Sequence, residues 1–135
     1  MIDMGTKSGK KEPHYISNRF KNVVHIHCPL FEQSFWVFLK CKTALDFKRE
    51  AERVLPKGAS VEVKPTNSGR FTVFDFGKNG TIGLIWGKDD IHVTHECHHA
   101  AIWSLDDRGV PITAANDEIV AYYQSFLLRE IRRHS

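Results

Sequence analysis

A chain of 135 residues with 41% hydrophobic content can fill one core and leaves little room for two independent domains. Its 19 basic and 16 acidic residues give a formal charge of +3, gathered in Lys7, Lys10, Lys11 and in Arg129, Arg132, Arg133, a bias at the two ends much weaker than the basic face of a dedicated nucleic-acid binder. The cysteines Cys28, Cys41 and Cys97 are odd in number and lack CxxC spacing, no apolar signal region opens the chain, and no run approaches the ~18 apolar residues of a membrane span; a reduced, cytoplasmic protein without a membrane partner is expected.

Residues 1–18 are rich in Lys, Gly and Ser and offer little to bury, so a flexible basic arm is expected before a single domain over 19–135. Val23 to Cys28 and Ser34 to Lys40 read as strands broken near Pro29. Thr43 to Leu55 has helical spacing, a Thr cap and a stop at Pro56 and Gly58. Three short strands are expected at Ser60 to Lys64, Arg70 to Phe76 and Thr81 to Trp86, and the turn-forming links Thr66 to Gly69 and Gly77 to Gly80 favour an antiparallel meander. A helix from about Asp90 to Leu105, capped by Asp89 or Asp90 and ended by Gly109, and a last helix from Thr113 or Asn116 to Arg132 complete the chain. His25 and His27 alternate with Val24 and Ile26 and read as a solvated strand face, while Phe35, Trp36, Phe38, Phe71, Phe74 and Phe76 read as core or as the flank of a groove.

Inside the first of the two long helices lies His95-Glu96-Cys97-His98-His99, a HExxH pattern that chance alone produces about 0.03 times in a chain of this composition. At roughly 100° per residue His99 falls about 40° from His95, so the two imidazoles share a face and can grip one zinc ion with Glu96 beside them. Cys97 falls about 200° away and is expected in the core. A catalytic zinc takes three protein ligands and keeps a fourth position for water. Two helices joined by a short loop pack antiparallel, which offers Glu118 as the third ligand and Asp117 as its substitute; a His95 and His98 pair at i, i+3 is also open. Glu96 is then the general base for a zinc-acidified water. Tyr122, one turn from Glu118 on the same helical face, is the first choice to donate to the oxyanion; Tyr123, His98 and His92 are further cleft candidates.

The HExxH of His95 to His99, followed by Glu118 in a second helix, resembles the gluzincin group of zinc metallopeptidases, and the small size is similar to ImmA/IrrE-type proteases and compact phage-encoded metallopeptidases. The resemblance covers about residues 89–132 through its motifs. It implies an α+β, zincin-like fold, a small twisted and mostly antiparallel sheet packed on an active-site helix and a C-terminal helix. It also implies one Zn2+ held by His95, His99 and Glu118, Glu96 as base, a protein or peptide substrate, and the host cytoplasm as the setting of a phage-encoded member. Thermolysin-like gluzincins carry an Asp four residues after the ligand Glu, where this chain has Tyr122. The expected function is a zinc-dependent peptidase; the alternative is a non-catalytic zinc-binding regulatory or interaction module. Nucleic acid is not expected as the primary partner.

Overall fold

The computed structural model describes residues 20–134, and the arm expected over 1–18 lies outside them. The elements run β1 (Val23–Cys28), β2 (Gln33–Phe38), α1 (Ala44–Val54), β3 (Gly69–Asp75), β4 (Thr81–Gly87), α2 (Asp90–Asp107) and α3 (Asp117–His134), with 3-10 turns at Gly77–Asn79 and Ala114–Asn116. The fold is α+β, built on one mixed four-stranded sheet in the order β1-β2-β4-β3. β1 pairs antiparallel with β2, β3 antiparallel with β4, and the central β2 and β4 run parallel. Among the described residues no helix is long and apolar enough to cross a membrane.

Both faces of the sheet are covered, which period-two side-chain alternation makes possible. One face presents Ile26, Cys28, Phe35, Val37 and Ile85 to α2 and α3. The other presents Trp36, Phe38, Ile82, Leu84 and Trp86 to α1 and to Val61. His25 therefore does not lie on a solvated face; its ring stacks on Phe20 at 6.0 Å and packs at 5.6 Å from Trp36. His27 Nδ1 meets the buried Ser34 Oγ at 2.7 Å on the cross-strand partner.

α1 forms where expected. Thr43 Oγ1 accepts the Asp46 N–H, and Ala44, Phe47, Ala51 and Val54 recur at helical spacing to make one buried face. Pairs such as Arg49 with Asp46 and Arg53 with Glu50 occupy its solvent side. The strand expected at Ser60 to Lys64 does not form, and the meander reduces to the β3–β4 hairpin. Side chains take the backbone groups that a ladder would use: Glu52 Oε2 accepts the Val61 N–H, Lys48 Nζ donates to the Val61 carbonyl, Arg70 Nε to the Glu62 carbonyl, and Asn67 Oδ1 accepts the Lys64 N–H.

α2 is held at both ends. Asp89 Oδ1 accepts the His92 N–H at 3.0 Å, and past the last turn the N–H of Val110 bonds to Leu105 O and that of Gly109 to Asp106 O, a Schellman closure. Its entry is pressed against the sheet so closely that a Cβ on Gly87 would lie 2.3 Å from the Val93 nitrogen. α3 buries Val120, Tyr123, Leu127 and Ile131 against α2 and the sheet. Gln124 Nε2 donates to the Thr94 carbonyl, which places the second turn of α3 beside the N-terminal half of α2.

Candidate metal centre and cleft

The face of α2 that carries His95 and His99 is solvent-accessible, and its opposite face is core. Cys97, Ala100, Ala101 and Leu105 are fully buried, as the helical angles require. Burial first, and the nearby Glu96 charge second, pushes the Cys97 thiol up to about 12, and its place in the core, away from the face of His95 and His99, keeps it apart from the candidate ligands. Cys28, Cys41 and Cys97 are all buried and unbridged.

His95 and His99 stand side by side, their rings 4.6 Å apart and their Nε2 atoms 3.0 Å apart. Zinc–nitrogen bonds of about 2.0–2.1 Å at tetrahedral angles set two ligand nitrogens roughly 3.3 Å apart, so the pair fits two positions of one coordination sphere. Without an ion the same spacing suits one N–H donating to the neighbouring lone pair. His98 is exposed beside them, its ring 6.2 Å from that of His99.

Glu96 points differently from the histidines. It is 8% exposed, and it lies so near the start of β3 that a Cβ on Gly69 would sit 2.9 Å from its Oε2. With His99 it lines a cleft of about 1000 Å³ that also takes in Gly69, Arg70 and Phe71 of β3, Ile102, Trp103 and Asp106 of α2, and the Val61 to Asn67 segment. The candidate base and one of the two candidate ligands therefore share a wall with the edge strand of the sheet.

The remaining predicted residues are more scattered. Asp117 and Glu118 are exposed in the first turn of α3, and among the described residues no third His, Cys, Asp or Glu joins His95 and His99 in a group able to hold a metal. Tyr122 is 71% exposed on α3. Tyr123 is not a cleft residue. It is 5% exposed in the core, and its hydroxyl donates to Gln33 Oε1 at 2.7 Å; burial raises its pKa. His92 is tied to the helix cap, its Nδ1–H donating to Asp89 Oδ1 at 2.6 Å. The His92 backbone N–H, and then its ring, hold the Asp89 carboxyl below its ordinary value.

Sequence reasoning did not single out Trp103, Gly69 or Arg70. Trp103 was within reach, since it follows His99 by one helical turn. Gly69 and Arg70 were read only as turn and strand, because their proximity to Glu96 depends on how the hairpin lies against α2. No protein family, no curated protein and no solved structure matches the chain.

Proposed function

We propose that the protein is a zincin-like, zinc-dependent peptidase that hydrolyses a peptide bond in a protein substrate. The observation that carries this reading is the position of Glu96: a nearly buried carboxylate beside the paired His95 and His99, facing a cleft bordered by an open strand edge. His95 and His99 would serve as ligands, and Glu118, or Asp117 as its substitute, would complete the set only by moving toward them from the exposed first turn of α3. A bound zinc ion supplies a Lewis acid and lowers the pKa of water to about 7. Glu96 accepts the water proton and returns it to the leaving amine, for which a carboxylate kept close to the reacting water is the required group. Tyr122, free of the core, is the candidate donor to the developing oxyanion.

The edge strand supports a peptide substrate in particular. In β3 the even-numbered residues face β4, since Phe76 N–H bonds to Gly80 O and Lys88 N–H to Ser68 O. Gly69, Phe71 and Val73 therefore turn their N–H and C=O outward, and an extended chain can add to them. A closed structural zinc site, the alternative, requires four protein ligands, whereas His95 and His99 are exposed to solvent.

The test is metal analysis of protein purified without added metal, followed by casein and proteome-wide cleavage assays of the zinc-loaded wild type and Glu96→Gln. Stoichiometric zinc in both forms is expected, with a loss of about 10²–10⁴-fold in cleavage rate for the variant. Equal rates in the two forms, or zinc retained after His95→Ala and His99→Ala, would count against the proposal.

A further inference from the structure

The cleft lies across the open edge of the sheet, and its two sides differ in chemistry. On the α2 side stand Phe71, Ile102 and Trp103, all packed against the α2–α3 core, with Glu96 and His99 at one end of that row and Asp106 a turn beyond Ile102. On the α1 side stands Arg70, bonded to the Glu62 carbonyl of the Val61 to Asn67 segment, which also brings Lys64 to the cleft. The assignment of sides follows from the pleat, since Phe71 packs on one core and Phe74 on the other, which sends Arg70 toward the latter.

Charge on the α1 side is incompletely matched. Lys48 is paired with Glu52 at 2.6 Å. Among the described residues Arg70 donates to the carbonyls of Glu62 and Phe71 without pairing a carboxylate, and Lys64 has no side-chain partner. Against Lys64 and Arg70 the same wall holds one carboxylate, Glu62, while the cleft's other two, Glu96 and Asp106, belong to α2 across from it. The Phe71 carbonyl that Arg70 Nη1 now contacts at 3.2 Å faces the open edge, so an added strand that donates an N–H to it releases that guanidinium nitrogen.

A peptide added to β3 continues the plane of the sheet, and its successive side chains point to opposite faces. We infer that the substrate is an extended segment in which apolar residues, directed to Phe71, Ile102 and Trp103, alternate with acidic residues, directed to Arg70 and Lys64. The inference rests on the cleft being the substrate site of the proposed peptidase, and it adds the substrate class.

Binding tests it apart from catalysis. Trp36 and Trp86 are buried to about 1% or less, so a ligand-dependent change in indole emission reports Trp103. The full chain without metal is titrated with acetylated, amidated ten-residue peptides of alanine and serine that carry a central Leu-Glu-Leu, Leu-Lys-Leu or Ala-Glu-Ala. The first should bind about five- to tenfold more tightly than the second, the range expected of partly exposed charge pairs, and tenfold or more above the third. Arg70→Gln with Lys64→Gln should remove the preference for Glu over Lys while leaving the preference for Leu, and Trp103→Phe should remove the emission change. Equal affinity for the Glu and Lys peptides, or no binding by chain whose circular dichroism is intact, overturns the inference. Selective binding without cleavage after zinc addition upholds it and counts against the peptidase; cleavage with no selectivity does the reverse.

Discussion

Neighbouring residues in this chain divide sharply by role, and the two tyrosines of α3 are the clearest pair. Tyr123 sits in the core with its hydroxyl on Gln33 Oε1, and Gln33 Nε2 in turn donates to the Ser104 carbonyl. Tyr123→Phe leaves that amide oxygen without its donor, so a loss of about 1–3 kcal/mol is expected in urea unfolding. Tyr122→Phe should leave stability within about 0.5 kcal/mol, since the ring is 71% exposed, and should lower kcat if the hydroxyl serves the oxyanion. Gly69 offers a second residue-scale check. A Cβ there would meet Glu96 Cγ at 3.0 Å and Oε2 at 2.9 Å, so Gly69→Ala should displace the carboxylate and cut peptide cleavage at least tenfold with zinc content unchanged. Unaltered cleavage by the Ala variant would place the working position of Glu96 elsewhere.

At the scale of elements, local chemistry and sequence period agree for most of the chain. α1 was legible because its cap, its apolar spacing and its stop coincide, and Thr43→Ala should lower stability by about 1 kcal/mol in thermal or urea unfolding. α2 depends on a carboxylate cap. The Asp89 pKa is lowered in the folded protein, so its contribution is fully present above the unfolded value near 3.9 and is lost as pH falls through the lower folded value. The protection of the His92 and Val93 amides, measured against their intrinsic exchange rates, should therefore fall below about pH 4, ahead of that in the middle of α2. The misread element is Ser60 to Lys64. Its alternation of apolar and polar residues resembles a strand, but Lys48, Glu52, Arg70 and Asn67 occupy its backbone groups. No local pattern reveals that competition, because three of those four side chains, Lys48, Glu52 and Arg70, come from other elements that only the fold brings near.

For the molecule as a whole, the sheet with helices on both faces decides what is rigid. Leu127, fully buried on the α3 side, and Phe47, fully buried on the α1 side, belong to separate cores. Leu127→Ala should cost about 2–5 kcal/mol and Phe47→Ala about 3–5 kcal/mol by chemical denaturation. Only the former loosens the packing of α3 on α2, and it should weaken zinc affinity as well if Glu118 completes the coordination sphere. The sequence by itself determined the helical identity of His95 to His99, the shared face of the two imidazoles and the burial of Cys97, because 3.6 residues per turn assigns every side chain of a helix to a direction. It also determined most strand and helix positions, since capping and apolar period are local. Only the tertiary structure decided that β2 and β4 pair in parallel, that Tyr123 belongs to the core, and that Glu96 faces an open strand edge with apolar residues on one side and basic residues on the other. These are contacts between elements distant in the chain, set by which faces find partners, and no period along the sequence encodes them.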